Sequence, residues 1–272
     1  MPELTVEVLD IAKTFYDESR GEVKAVEGIT FKCHAGEVFG LLGANGAGKT
    51  TTLRMLSTIL KPTAGTARIM GHDVLGAPED VRRSLGFYSA STALYPRLTA
   101  RETLEFFASI NGYPRERMRQ RIEALVQRFG IGAYQNARVE KLSTGMKQKV
   151  SIARTVAHDP PVLIFDEPTV GLDVMNALEM VHVIREMRDE GKTIIFSTHI
   201  MSEVEKLCDR IAIIHRGKLL AMGTLDSLRE TTSHHYLEDI FVHYVTEAEG
   251  LEGAAIGLAG ELEATGNPEA TS

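Results

Sequence analysis

Gly43-Ala44-Asn45-Gly46-Ala47-Gly48-Lys49-Thr50 decides the reading of this chain. It follows an apolar run, Val38-Phe39-Gly40-Leu41-Leu42, and precedes Thr51 to Leu60, a stretch of helical composition that stops at Pro62. The spacing G-x-x-x-x-G-K-[ST] between a strand and a helix suits a phosphate chain. Glycines let the backbone turn inward, so that successive N–H groups and the helix N-terminus face an anion. Lys49 supplies a point charge to the β- and γ-phosphates, and the Thr50 hydroxyl suits Mg²⁺. A glycine turn that happens to precede Lys-Thr is the plain alternative, and the strand–loop–helix context argues against it. The stretch is therefore a nucleotide site.

Three further elements gain meaning from that loop. Val162-Leu163-Ile164-Phe165-Asp166-Glu167-Pro168 is an apolar strand ending in two carboxylates. Asp166 is placed to hold Mg²⁺, and Glu167 to orient and polarise an attacking water as general base. Alone, such a pair fits a solvated loop equally well; downstream of a phosphate loop it is the expected second half. Leu142-Ser143-Thr144-Gly145-Met146-Lys147-Gln148-Lys149 begins a helix running toward His158. Ser143 is a good N-cap, but a cap does not explain Gly145 in the first turn, where glycine costs about 1 kcal/mol against alanine. A backbone that must approach a phosphate closely does explain it. His199 follows the strand Thr193 to Thr198, and from the residues alone it fits a structural hydrogen-bonding role.

Strand-like and helix-like segments alternate through most of the chain, which predicts an α/β fold with much parallel sheet. Gly65 to Met70 is an expected strand closed by Gly71. Val162 to Phe165, Thr193 to Ser197 and Ile211 to Ile214 are expected as buried strands with helices between them. Arg101 to Asn111 and Arg115 to Phe129 are two amphipathic helices separated by Gly112 and Pro114. No strand signal falls between about 95 and 140, so a helical insertion is expected over about 95–158. Arg115, Arg117, Arg119 and Arg121 fall on two sides of a helix, which predicts a solvated or partner-facing surface rather than a phosphate-binding stripe.

Composition bounds the rest. The 272 residues, 43% hydrophobic and 25% charged, fit one large α/β domain or a main domain with a small insertion. No apolar run approaches the roughly 18 residues of a bilayer-spanning helix, so the chain is not expected to cross a membrane alone. Residues 1–10 carry Glu3, Glu7 and Asp10 without a basic cluster, unlike a secretory signal. Cys33 and Cys208 match no metal-ligand spacing and are expected as reduced thiols. Net charge is −7, but residues 246–272 hold six glutamates and no Lys or Arg, leaving residues 1–245 at −1. A nucleic-acid binder driven by bulk charge is thereby disfavoured. Residues 246–272 are expected to form a flexible acidic tail, with a short amphipathic helix from Leu251 to Leu262 as the alternative.

With these elements in this order the chain resembles the ATP-binding cassette (ABC) ATPases over about residues 4 to 230. Leu142-Ser143-Thr144-Gly145-Met146 is similar to the family's Leu-Ser-Gly-Gly-Gln signature and lies 24 positions before Asp166. Gly171-Leu172-Asp173, Ser197-Thr198-His199 and Lys13-Thr14-Phe15 match the loop after the catalytic glutamate, the switch histidine and the adenine-stacking aromatic, with Tyr16 the lesser choice for the last. The resemblance implies a P-loop NTPase cassette over 1–245 with a RecA-like core, an antiparallel β subdomain and the helical subdomain. It implies Glu167 and His199 as catalytic residues. It implies ATP contacts from Phe15, Gly43, Asn45, Gly46, Ala47, Gly48, Lys49, Thr50 and Thr51, with Thr50 and Asp166 on Mg²⁺. Ser143, Thr144, Gly145, Met146 and Asp173 would touch the ATP of a second, head-to-tail cassette, a homodimer being expected. An integral membrane permease would be the other partner, with no nucleic acid, at the cytoplasmic face of the membrane.

Two departures stand out. Thr144 and Met146 replace Gly and Gln of the common signature. Ala90, in Ser89-Ala90-Ser91, occupies the place of a Gln or Glu that reaches Mg²⁺ and water, a role alanine cannot fill; Ser89, Ser91 or a backbone carbonyl are the substitutes at hand. Thr50 to Leu56 and Leu94 to Glu102 resemble exporter cassettes, and Ser89 to Tyr95 without glutamine leans toward the sodium-extruding kind. Drug or lipid export is the alternative, and a soluble non-transport ABC ATPase acting on ribosomes or DNA a further one.

Overall fold

A computed structural model describes residues 3–19, 21–89 and 92–250. Ala90, Ser91 and the stretch 251–272, with the expectations attached to them, lie outside the described residues. In chain order the first elements are β1 (Leu4–Asp17), β2 (Gly21–His34), β3 (Val38–Leu42), α1 (Lys49–Leu56), β4 (Ala64–Ile69) and β5 (His72–Asp73). Next come α2 (Pro78–Ser84), β6 (Leu85–Ser89), α3 (Ala100–Ile110), α4 (Arg115–Arg128) and α5 (Thr144–Thr155). The remainder is β7 (Val162–Asp166), α6 (Val174–Asp189), β8 (Thr193–Thr198), α7 (Met201–Leu207), β9 (Arg210–His215), β10 (Lys218–Gly223), α8 (Leu225–Thr232) and α9 (Leu237–Glu249).

The apolar runs build a six-stranded sheet of order β10-β9-β3-β8-β7-β6, parallel except for the β10 edge. Strands buried on both faces need apolar residues at every position, and β3, β7 and β8 are buried throughout. Alternation then assigns the faces. Val162 and Ile164 of β7 join the core shared with α1 and the β1–β4 sheet, whereas Leu163 and Phe165 join the core beneath the helical subdomain. The second sheet, β2-β1-β4-β5, is antiparallel and supplies the expected β subdomain.

The helical insertion forms as expected, with α3, α4 and α5 sharing one core. Thr99 and Glu102 close a capping box on α3. Arg121 departs from the solvated face assigned to the arginines. Its guanidinium donates to the carbonyls of Val156 (2.6 Å) and Ala157 (3.3 Å) and pairs with Asp159 (3.2 Å), which satisfies the C-terminal end of α5. Arg115, Arg117 and Arg119 stay exposed.

Two boundaries differ from expectation. α1 ends at Leu56 rather than Leu60, because the Ser57 hydroxyl turns back onto the Leu53 carbonyl (2.7 Å) and Thr58 takes a left-handed φ of 58°. α9 runs to Glu249, past the expected start of the acidic tail at 246, and ends at Gly250 with φ 68°. Glu249 is anchored by His215 (2.9 Å) and Arg216 (2.7 Å), partners far away in sequence. Both cysteines are free thiols. Cys33 is fully buried, and the Cys208 sulfur lies where a Cβ on Gly40 would meet it at 2.7 Å.

Candidate nucleotide site

Parallel strands deliver their C-terminal ends to one edge of the sheet, where α/β folds bind ligands. Leu42 pairs with Thr198 and Asp166 with Ser197, so the phosphate loop after β3, the carboxylates of β7 and the end of β8 are neighbours. The loop itself is set by glycines that the packing requires. A Cβ on Gly43 would lie 2.3 Å from the Ile214 carbonyl, and one on Gly48 (φ 106°) 2.6 Å from the Ala25 carbonyl. Gly46, at φ 80°, faces open space instead. α1 starts with no side-chain cap, so its first N–H groups are left to an anion.

Lys49 is buried, 4% exposed, and donates to the carbonyls of Gly43 (2.7 Å) and Ala44 (3.2 Å). It also pairs with Glu167 Oε1 at 3.1 Å. Asp166, equally buried, accepts from the Thr50 hydroxyl (3.0 Å) and the Ser197 hydroxyl (2.8 Å), with Ser89 Oγ at 3.5 Å. Glu167 has a left-handed φ of 47°, a strained conformation for a residue with a Cβ. Its N–H is held by the Ser197 carbonyl and hydroxyl, both at 3.1 Å. Burial alone raises the Glu167 carboxyl, but hydrogen bonding and charge from Lys49, then His199, outweigh it and hold the group below its ordinary value. His199 Nδ1 lies 3.3 Å from Glu167 Oε1.

The donor set fits a magnesium nucleotide. Thr50 and Asp166 offer the hard oxygen ligands Mg²⁺ takes, and the Lys49 ammonium rests on the carbonyl oxygens of Gly43 and Ala44 in the glycine loop. Phe15 is half-exposed, with Lys13 Nζ 5.2 Å from its ring centroid. It pairs with Val23, two residues from the Ala25 carbonyl that crowds Gly48. Tyr16 is far more exposed. Asn45 is exposed and Thr51 half-buried at the rim.

The signature segment stands apart. Ser143 caps α5, accepting from the Met146 N–H at 3.3 Å, while Ser143, Thr144 and Met146 are exposed and Gly145 faces open space. No hydrogen bond or ion pair joins these residues to Lys49, Asp166 or Glu167 among the described residues. Asp173 caps α6, accepting from Met175 and Asn176 N–H groups at 3.0 Å; those bonds, led by Asn176, hold its carboxyl below the ordinary value. Sequence reasoning did not find Ser197 as the bridge from Asp166 to the Glu167 backbone. The available signal was the polar pair Ser197-Thr198 following the apolar run Ile194 to Phe196. Nor did it find Arg154, which is 4% exposed, stacks 4.9 Å over Phe107 and has no carboxylate or hydrogen-bond partner among the described residues.

A family described as ABC transporter matches residues 26–170. The ABC transporter ATP-binding protein NatA of Bacillus subtilis (strain 168) is 42% identical over 238 residues, 87% of this chain and 96% of NatA. The daunorubicin/doxorubicin resistance ATP-binding protein DrrA of Streptomyces peucetius is 36% identical over 238 residues, covering 86% of this chain and 72% of DrrA. Among solved structures, an ATP-binding subunit of an ABC transporter superposes with a TM-score of 0.80 at 30% identity, over 89% of this chain and 99% of its own. The dimeric ATP-binding cassette MJ0796, bound to ADP and Pi after hydrolysis, gives 0.72 at 25% identity over 81% and 98%.

Proposed function

The chain belongs to the ABC transporter family as an ATP-binding subunit, and from that premise we propose that it hydrolyses ATP to drive a separate membrane permease in export. The observation that carries this reading is the convergence of Lys49, Thr50, Asp166 and Glu167 at one edge of the sheet while Ser143, Thr144 and Met146 stay exposed elsewhere. A single chain then holds two phosphate-binding elements that do not meet. Two copies arranged head to tail bring each phosphate loop to the other's signature, consistent with a dimeric relative.

In this reading the loop N–H groups and Lys49 hold the β- and γ-phosphates. Thr50 and Asp166 would hold Mg²⁺, which when bound would supply charge neutralisation at the phosphates. Glu167, kept ionised by Lys49 and His199, takes a proton from the attacking water, and His199 orients it from the end of β8. The Ser143 hydroxyl and Gly145 N–H of the second copy meet the γ-phosphate, with Thr144, Met146 and Asp173 beside them. Phe15 stacks on adenine. Ser89 Oγ, at the edge of hydrogen-bond reach of Asp166, is the proposed substitute for the glutamine absent at position 90.

The permease is proposed to dock between the core and the helical subdomain. A cleft of about 190 Å³ is bordered there by Ile59, Leu85, Phe87, Phe107, Arg154 and His158, with Tyr95, Phe106 and Ile110 exposed nearby. Burial lowers the Arg154 pKa, and an unpaired guanidinium at that depth calls for a carboxylate on the docking segment. In this reading the permease holds the chain at the cytoplasmic face of the membrane. No helix among the described residues is long and apolar enough to cross a membrane.

Sodium is the proposed cargo, resting on the resemblance of Ser89 to Tyr95, without glutamine, to the sodium-extruding kind of cassette. The likeness to DrrA supports drug export as the second reading. Mild-detergent co-purification of the tagged chain from its native membranes tests the assignment. A polytopic protein at near-equal stoichiometry, and sodium flux from the reconstituted pair, are expected. Recovery on ribosomes or DNA alone would overturn the transport reading.

A further inference from the structure

The phosphate loop leans on the turn between β9 and β10 at both of its ends. Gly43 is crowded by the Ile214 carbonyl, while the Gly217 N–H donates to the Ala47 carbonyl at 2.9 Å. Gly48 lies close enough that a Cβ there would meet Gly217 Cα at 3.3 Å. The turn is itself tied to the β subdomain, since the Glu27 N–H donates to the Gly217 carbonyl at 2.8 Å. Between Ile214 and Gly217 stand His215 and Arg216, and both side chains end on one carboxylate: Glu249 accepts from His215 Nε2 at 2.9 Å and Arg216 at 2.7 Å. Arg216 (φ 44°) and Gly217 (φ 79°) are both left-handed, as a two-residue hairpin between the paired His215 and Lys218 favours, so the tie to Glu249 acts on a turn that is already well formed.

The placement of Glu249 is odd for the helix and useful for the turn. A carboxylate in the last turn of a helix opposes the helix dipole, and α9 has no basic residue there to offset Glu247 and Glu249. The compensation comes from His215 and Arg216. Glu249 is 22% and His215 19% exposed at the side chain, so this pair is better shielded than an open surface bridge; Arg216, at 76%, closes it from the solvent side.

We infer that Glu249 is a positioning residue for the phosphate loop, setting nucleotide affinity from the last helix by fixing the turn that backs Ala47 and Gly48. The inference rests on the nucleotide-site reading and goes beyond it, because it makes the C-terminal helix a control point for ATP binding. Anything that draws α9 away from His215 and Arg216 loosens the loop.

The test is titration of the purified full chain with mant-ATP and Mg²⁺, alongside steady-state hydrolysis and thermal unfolding. Glu249→Ala is expected to raise Kd and KM roughly two- to fivefold, the range of a partly shielded ion pair, with a far smaller change in kcat. Glu249→Gln, which keeps an acceptor oxygen without the charge, falls between. His215→Ala/Arg216→Ala reproduces the Glu249→Ala loss, and adding Glu249→Ala to it brings none further. Removing residues 251–272 leaves Kd as in the intact chain. Unaltered Kd in Glu249→Ala, with only a lower unfolding temperature, would reduce the contact to a structural one and overturn the inference. An additive loss in the triple variant would overturn it as well. An intact chain that binds no mant-ATP would instead overturn the nucleotide-site reading.

Discussion

Replacing Glu167 by Gln separates chemistry from binding at this site. The side chain keeps its size and one acceptor oxygen, so the hydrogen bonds that fix its backbone, N–H to the Ser197 carbonyl and hydroxyl, are untouched. Two things change. The base is lost, and general-base contributions of 10²- to 10⁴-fold correspond to about 2.7–5.5 kcal/mol of barrier. The carboxylate 3.1 Å from Lys49 Nζ is neutralised, so Lys49 is no longer shared between Glu167 and phosphate, and the γ-phosphate meets one negative charge fewer. The expected result is therefore asymmetric: kcat falls 10²- to 10⁴-fold while ATP affinity stays level or tightens. Single-turnover hydrolysis of radiolabelled ATP, paired with equilibrium binding, reads both. Near-normal hydrolysis in Glu167→Gln would falsify the base assignment; a collapse of affinity would show that the carboxylate holds the loop rather than water.

Ser143→Arg places a bulky charge on an exposed helix cap and should abolish hydrolysis while monomer ATP affinity stays nearly intact, which binding and turnover assays distinguish; loss of both would remove the trans role. Arg154→Met trades a buried unpaired charge for a side chain of similar volume, so the unfolding temperature of the isolated chain should hold or rise while permease recovery falls. A drop of several degrees would mean that Arg154 is paired in solution. His158 is held down to about 4, by burial first and then by Arg121 and Lys192, against the pull of the Leu85 carbonyl. Between pH 6.5 and about 4 the unfolded chain takes up a proton that the folded chain refuses. Stability therefore falls as pH drops through that window, by about 3 kcal/mol in full. His158→Gln should flatten the pH dependence of the unfolding midpoint over this range, and an unaltered slope would contradict the assignment.

Local order made the site legible. The phosphate loop, β7 and the cap at Ser143 are each specified by neighbours within a few residues, so spacing and residue type sufficed. Phe165-Asp166-Glu167 could be placed because the apolar run of β7 gives way to carboxylates at its C-terminal end, with Asp166 closing the strand. What escaped depends on partners far apart in the chain. Ser197 meets Asp166 across 31 positions, and Glu249 meets His215 across 34. The polar last turn of α9 resembles tail in composition; Gly250 caps it locally, and the distant His215 and Arg216 hold its Glu249. Arg154 lay within an expected helix, yet nothing in its local pattern said that it would be buried beside Phe107 without a counter-charge.

The two thiols have a practical consequence. Cys33 is sealed in the β subdomain, and burial pushes its thiol well above the ordinary range; the sulfur of Cys208, pressed beneath Gly40, is raised in the same way, by burial first and then by Asp209 and Glu203. The thiolate is the form that reacts with maleimides, so at neutral pH neither sulfur should be labelled while the chain is folded. Alkylation then becomes a clock for opening of the β subdomain and of the β3–α7 contact. A single cysteine introduced on the surface, at the signature or beside α9, would carry a fluorophore without removal of the native pair.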